Sequence, residues 1–352
     1  MNDPSQPATP QFGGGKPVPW ASVVMPVRKC RATVVKSLDS LLQQQVPGRC
    51  EIIFVCDQAD DDSLEAIRNH PLATQWDCVE IFHPGRGLAQ AYNLGWRAAR
   101  APFIFFMHSD CYATDDRAMI RMVEWLEREG ALAVEPMVDI PQGDWEVMSF
   151  WDRVTSSQYR HGKPLHNFMG KFDLVRRDAL EKLGGFDEER FWSAAEDADM
   201  VERLWTVGKI TFSDVLVIHA HLHPAEAAFT ATLRKHTQAG EGTGAVFRKY
   251  WHSLHFLRGA WTIIGLNLLK LVLLAGMIAG IFFPLAGIIS ASFMLLLSVY
   301  YARWAMLSRD WRVVLIPFAV TLMFSFFAVA MVRAFIRGRQ SFDYLKVKSP
   351  GS

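Results

Sequence analysis

Cysteine is scarce, and poorly placed for a framework. The five residues Cys30, Cys50, Cys56, Cys78 and Cys111 are odd in number, and no C-x-x-C pair occurs. A zinc ribbon or a disulfide scaffold is therefore excluded as a reading. These cysteines fit a reduced compartment, where a buried thiol behaves as a small hydrophobe. Net charge is nearly absent too, at +1, so bulk charge gives no case for a nucleic-acid partner. No internal repeat is visible. The glycine-containing stretch 234–249 lacks the G-K-[ST] ending of a P-loop, so ATP binding has no support. Residues 1–19 carry Pro, Gly, Ser and Gln but no long apolar core, so they do not read as a secretory signal. The expectation there is a disordered leader.

What is present is apolar surface in two different patterns. Of 352 residues, 50% are hydrophobic and 21% charged, a mixture that suits a soluble part joined to a membrane part. The length suggests about two domains. From residue 20 the chain alternates apolar runs with helical stripes. Strands are expected at 20–27, 51–56, 78–83 and 103–107, with helices at 32–44, 62–69 and 87–99. Such alternation means βαβ units and a mainly parallel sheet, whose ligands bind beyond the carboxyl ends of the strands. Asp57 and the triplet His108-Ser109-Asp110 fall there. After about residue 130 the alternation weakens, with strands expected at 132–140, 171–176 and 209–220 and helices at 177–184 and 196–207.

The tail has the second pattern. Runs 261–283, 285–302 and 313–332 are each close to the roughly 20 apolar residues that span a bilayer. Arg248, Lys249 and Arg258 before the first run, and Arg303, Arg309 and Arg312 after the second, place the preceding domain in the cytosol. Three spans would put Arg333, Arg337, Arg339, Lys346 and Lys348 outside, against that bias. One run is therefore expected to be re-entrant or interfacial. The first is the candidate, because Asn267 and Lys270 are costly in lipid.

Three acidic positions at loop ends have chemical potential. Asp57 follows a strand directly and would accept hydrogen bonds from a base or ribose; its plain alternative is a helix cap. The triplet ending at Asp110 follows a very apolar strand, where a polar group is either a turn or a metal site. Glu196-Asp197-Ala198-Asp199 opens a helix, where acids are favoured by the dipole alone. His219, His221 and His223 alternate along a strand end and so share one face.

Taken in order, these segments resemble the family-two glycosyltransferases. The likeness runs over about residues 20–220, through Ser22-Val-Val-Met-Pro26, Glu51-Ile-Ile-Phe-Val-Cys-Asp57, Gly87-Leu-Ala-Gln-Ala-Tyr-Asn-Leu-Gly95 and Phe105-Phe-Met-His-Ser-Asp110. It continues through Arg176 to Asp187 and the close match Glu196-Asp-Ala-Asp-Met-Val-Glu-Arg-Leu204. The resemblance implies an α/β fold of GT-A type, a Rossmann-like, nucleotide-sugar-binding mixed sheet, here with a C-terminal helical transmembrane tail. It implies sugar transfer from a nucleotide-diphosphate donor with inversion at the anomeric carbon.

Carried over by position, Asp57 contacts the nucleoside and Arg86 the base or phosphate. Asp110 ligates a divalent metal, Mn²⁺ or Mg²⁺, aided by His219 or His221. Asp197 is the general base and Glu196 shapes the acceptor site. Apart from the resemblance, Trp192 stands four residues before Glu196 and is expected to stack on the acceptor, since aromatic faces often stack on sugars. Two positions depart from the pattern. Cys56 stands where the family often has an acid, and His108 where D-x-D begins; imidazole at a metal favours Mn²⁺ over Mg²⁺.

The resulting division is a leader at 1–19, a GT-A catalytic domain at 20–225 and a basic, glycine-rich linker at 226–258, whose stretch 234–249 reads as a flexible loop. Two to three transmembrane helices follow at 259–338, then a basic tail at 339–352. The expected setting is the plasma (inner) membrane, multi-pass, with a lipid-linked or cell-envelope polysaccharide acceptor, membrane lipids as partners and no nucleic acid. The contrary reading is an inert nucleotide- or glycan-binding scaffold. A processive synthase is disfavoured by too few spans and by the lack of a Q-x-x-R-W motif.

Overall fold

The computed structural model describes residues 17–57, 62–83, 87–140, 142–157, 170–192, 194–220 and 229–341. Arg86, His221 and His223 lie outside the described residues, as do residues 1–16 and 342–352, and Asp57 is described by its backbone alone.

The first half alternates as its apolar spacing requires: β1 (Ala21–Val27), α1 (Val34–Leu42), β2 (Cys50–Asp57), α2 (Ser63–Arg68), α3 (Leu72–Gln75), β3 (Asp77–His83), α4 (Leu88–Ala98) and β4 (Phe103–Met107). Then come β5 (Cys111–Ala113), α5 (Ala118–Arg128), β6 (Ala133–Asp139), α6 (Gln142–Val147), α7 (Phe150–Ser156), β7 (Lys171–Arg176), α8 (Arg177–Leu183), α9 (Glu196–Val207) and β8 (Ile210–His219). Among the described residues these strands form one sheet in the order β3-β2-β1-β4-β7-β6-β8-β5. β3, β2, β1 and β4 run parallel. From there the sheet is mixed: β7 opposes both β4 and β6, β8 runs parallel to β6, and β5 opposes β8. The expectation of a mainly parallel sheet thus holds for its first four strands only.

The central strands are apolar on both faces because helices cover both. Val23, Met25, Ile52, Phe54, Phe105 and Met107 pack on one side, against Leu38, Leu41 and Met119. Val24, Ile53, Val55, Ile104 and Phe106 pack on the other, against Tyr92, Leu180 and Leu204. Fully burying one such side chain contributes roughly 1.5–3 kcal/mol, which is why these strands lie at the middle of the sheet. Cys56 belongs to the first cluster, and burial pushes its thiol up to about 12. It is a neutral core residue and does not take the place of an acid.

The tail comprises α10 (Phe229–Tyr250), α11 (Leu254–Gly259), α12 (Trp261–Ala279), α13 (Pro284–Tyr301) and α14 (Ile316–Arg337). α10 corrects the expectation of a flexible loop at 234–249. Its glycines serve close approach on two sides of a helix: a Cβ at Gly240 or Gly244 would overlap the Phe327 or Met331 carbonyl of α14, and one at Gly242 would press on Ala194 and Ala195. Tertiary packing on both sides offsets the roughly 1 kcal/mol that each glycine costs a helix.

Three tail helices are long and apolar enough to cross a membrane. α12 and α13 form a hairpin, with Gly276 against Ser290 and Gly280 against Gly287. α14 differs in being 39% buried within the protein over its most apolar window, against 11% for each of the other two. Its first turns pack with Phe150 and Val154 of α7, and its middle lies along α10. Beyond its end, Gln340 bonds to the loop that precedes α9.

Candidate active site

β4 delivers the metal triplet to the crevice. At the β4–β7 pairing the register shifts between Phe106 and Met107, and Phe172 takes φ 100°. Such a bulge re-aims neighbouring side chains. The His108 N–H donates to Gly170 O at 2.8 Å. Gly170 has φ 64°, and a Cβ there would overlap the Tyr92 hydroxyl and lie 3.0 Å from His108 Nε2.

β5 then pairs with β8 so that Cys111 sits opposite His219. This register sets His219 Nε2 at 3.2 Å from Asp110 Oδ2. His108, Asp110, Cys111 and His219 have ligand atoms within 4.8 Å of one another. His108 is stacked on Tyr92, and burial lowers its imidazole to about 4, so it is neutral at physiological pH. Among the described residues its buried Nε2 has no hydrogen-bond partner, an orphaned lone pair or N–H that a bound group would satisfy. The donor set of two imidazoles and one carboxylate suits Mn²⁺, so these residues fit a divalent ion. Cys111 is the soft donor of the four, and a hard divalent ion takes carboxylate and imidazole before a thiol, so Asp110, His108 and His219 form the better ligand set.

Of the two histidines expected near the β8 end, His219 is the one within the described residues, and it lies beside Asp110. His108, a departure from the pattern, belongs to the same group. Gly170→Ala forces a Cβ into Tyr92 and His108 at a left-handed backbone. The expected result is Mn²⁺ affinity reduced at least ten-fold in calorimetry, with the rest of the fold retained in circular dichroism.

The acid pair opens α9. Ala195 precedes it at φ 66°, a strained conformation for a residue with a Cβ, and the three acids of the first turn complement the helix dipole. Glu196 is buried, and among the described residues its Oε2 has no hydrogen-bond partner. Desolvation raises its carboxyl, with Asp197 adding to the effect. Burial also raises Asp197, against the Ala198 N–H, which donates to Oδ1 at 2.7 Å, and against Lys171.

Lys171, at the start of β7, is a residue the sequence reading missed. Its ammonium acts electrostatically on Asp197, His108 and Cys111, so the acid pair and the metal cluster share the field of one cation. The available signal was a lysine directly before an apolar strand, which has no special spacing.

The third acid of the motif has a structural duty. Asp199 is fully buried. It accepts from Arg203 Nε at 2.9 Å, from Tyr250 Oη at 2.8 Å and from Lys249 Nζ. Lys249 also donates to Asp187 at 2.8 Å. Burial opposes ionisation of Asp187, but Lys249 and Arg190 hold it below the usual carboxylate range. The basic end of α10, read as linker charge, is thus bonded into the catalytic domain.

Trp192 needs correction as a stacking platform. It is 5% exposed, and its indole N–H donates to Glu188 O at 2.9 Å. Its carbonyl accepts the Leu88 N–H at 2.5 Å, opening α4; a Cβ at Gly87 would overlap that carbonyl. Its own N–H donates to Gln340 Oε1 at 2.9 Å, and Gln340 Nε2 donates to Ala194 O. A buried ring so held joins the loop to α4 and the tail and offers no open face to a sugar.

A curled mixed sheet with an acid-and-imidazole cluster beyond β4, and an acid pair opening a helix opposite, defines the GT-A class of nucleotide-sugar-binding folds. Residues 22–184 match the glycosyl transferase family 2 model. The chain is 24% identical over 262 residues to Glycosyltransferase AglE of Haloferax volcanii, covering 70% of this chain and 81% of that protein. It is 31% identical over 98 residues, 28% of each chain, to the uncharacterized glycosyltransferase EpsJ of Bacillus subtilis. Among solved structures, the mannosyltransferase PcManGT of Pyrobaculum calidifontis, in complex with GDP-Man and Mn²⁺, superposes with a TM-score of 0.59 at 17% identity. That match covers 90% of this chain and 87% of the other. Residues 22–184 thus carry a glycosyl transferase family 2 domain, and the chemistry this supports is glycosyl transfer.

Proposed function

We propose that the protein moves one sugar from a nucleotide-diphosphate sugar to a lipid-linked or cell-envelope glycan acceptor, with inversion, at the cytosolic face of the plasma (inner) membrane. The observation that carries this reading is the grouping of His108, Asp110 and His219 beyond β4, together with the Glu196-Asp197 pair at the start of α9, both within the electrostatic reach of Lys171. Asp197 takes the proton of the acceptor hydroxyl as its oxygen attacks the anomeric carbon. The bond from that carbon to the diphosphate oxygen breaks, and the nucleoside diphosphate leaves. Lys171 lies where it offsets the developing negative charge. Glu196 shapes the acceptor side, Asp57 contacts the nucleoside and Arg86 the base or phosphate. Asp110, His108 and His219 would hold Mn²⁺ or Mg²⁺, whose chemistry is Lewis-acid stabilisation of the leaving diphosphate.

Two crossings by α12 and α13, with α14 lying along the catalytic domain, agree best with the packing. The first turns of α14 pack on α7, and Gln340 just beyond its end bonds to Trp192 of the catalytic domain. This arrangement keeps Arg333, Arg337 and Arg339 on the same side as Arg248 and Arg258, which the positive-inside bias favours. The packing thus points to the third apolar run as the exception, where composition pointed to the first.

The test is turnover by the protein purified in detergent, across a nucleotide-sugar panel, with membrane lipid extract as acceptor. One donor should be consumed. EDTA should abolish the reaction, Mn²⁺ should restore it better than Mg²⁺, and Asp110→Asn should lower the rate by about 10²-fold or more, the scale of one lost charge-stabilising group. No turnover of any donor by folded, nucleotide-binding protein would shift the reading to an inert scaffold.

A further inference from the structure

The strongest unassigned feature is a cavity of about 360 Å³ where the catalytic domain meets the tail. α7 and α10 wall it on one side, and α12, α13 and α14 on the other, with Lys270, His236, Tyr301 and Phe324 among its lining residues.

Lys270 is the unusual member. It sits in the most apolar part of the chain, on α12, yet its side chain turns into this cavity rather than outward. Its ammonium reaches Asn267 Oδ1 at 3.3 Å and lies over the rings of Phe324 and Phe327, at 4.5 and 5.0 Å from their centroids. Among the described residues, no carboxylate stands within ion-pair distance of it. Asp152 lines the cavity too, but it is engaged by Ser149, whose hydroxyl and backbone-capping contacts hold it at the start of α7. Ring faces and one amide oxygen offset only part of what it costs to desolvate a full positive charge. A cation in this setting is retained where an anion meets it.

The rest of the lining describes that anion. His236 Nε2 pairs with Tyr301 Oη at 3.0 Å, and Lys235 lines the same space. These polar groups stand beside aromatic rings, so the cavity suits a small anionic head joined to an apolar chain. The phosphate of a membrane lipid has that shape and charge. α10 carries His236 at the cavity and, near its other end, Lys249 on Asp199 of the acid-pair helix. One helix therefore links this cavity to the catalytic acids.

We propose that this cavity binds the phosphate of a membrane lipid, with Lys270 as its counter-ion. The proposal deepens the reading of a lipid-linked acceptor, and it rests on that reading for its place in the reaction but not for the binding itself.

The full-length protein and Lys270→Met are to be compared in phosphatidylcholine nanodiscs. The probes are a polyisoprenyl monophosphate, phosphatidylglycerol and inorganic phosphate, read by native mass spectrometry and by thermal shift. The variant removes an unneutralised charge at similar volume, so it is expected to fold and to melt no lower than the wild type without added lipid.

The wild type should retain one phospholipid or monophosphate lipid and melt higher with it. Lys270→Met should bind it at least ten-fold more weakly and show no shift. Preference for the polyisoprenyl monophosphate assigns the cavity to the acceptor. Equal retention of phosphatidylglycerol assigns it to a bulk lipid head group, and both support a lipid-phosphate site. Equal binding by wild type and variant overturns the proposal, as does occupancy by inorganic phosphate with no lipid retained. Donor turnover measured on the same samples separates this outcome from failure of the glycosyltransfer reading, since lipid retention needs no donor.

Discussion

Asp197→Asn is expected to lower kcat by about two to four orders of magnitude with a hydroxyl acceptor, the usual range for a lost general base. The amide keeps the shape and the Ala198 N–H contact at 2.7 Å but cannot take a proton. With a lipid phosphate as acceptor, the attacking oxygen is already ionised, and the same variant should lose less than about ten-fold by the same reasoning. The size of the loss therefore reports the acceptor class.

The pH profile gives an independent check. Burial raises Asp197, against the Ala198 N–H and Lys171, and the active form is the carboxylate. Activity should fall as pH drops through a value above the ordinary carboxylate range, and the acid limb should vanish in the Asn variant. A profile flat from pH 5 to 8 in the wild type, with a hydroxyl acceptor shown by product analysis, would remove Asp197 from the role of base.

Lys249→Met is expected to be the most damaging single change for the fold. Asp199 is 0% exposed and Lys249 21%. Removing the cation leaves a buried carboxylate with Arg203 and the Tyr250 hydroxyl alone, and it also strips Asp187 of one of its two cations. Arg203 still pairs with Asp199 at 2.9 Å, so the expected loss lies below the roughly 3–5 kcal/mol of a buried charge left wholly unpaired. The measurement is the melting temperature of the detergent-solubilised protein. The double variant Lys249→Met with Asp199→Asn should recover only part of the loss, because the neutral amide no longer needs the missing cation but Arg203 loses its charged partner. A melting curve unchanged by Lys249→Met would mean that α10 is held to the catalytic domain by apolar contacts alone, through Phe191, Ala245 and Phe256.

Much of the catalytic domain was legible in the residues. Strands 103–107 and 171–176 and helix 196–207 fall where the apolar period places them, because core strands and amphipathic helices are set by local pattern. The acid pair was legible as well, since a carboxylate at a helix start is a local feature. The metal cluster was only half legible. Asp110 announced itself after β4, but His219 reaches it through the β5–β8 register, a pairing across 109 residues that no local spacing encodes. Lys171 was missed for the same reason.

The errors share a physical cause. Glycines at 240, 242 and 244 lower helix propensity, so the segment read as a loop; they form a helix because neighbours approach closely on two sides. Trp192 read as a sugar platform because an aromatic near an acid pair has two possible fates. Its burial against the Glu188 and Leu88 backbone and Gln340 decides which. The sequence by itself determined the alternating sheet, the acid pair and the apolar tail, since each is written in residue type and short-range period. The tertiary structure alone decided which imidazoles meet Asp110, which cation faces Asp197 and where α14 buries its apolar face. Those depend on long-range pairing and on whether an apolar surface meets protein or lipid, a distinction that composition does not carry.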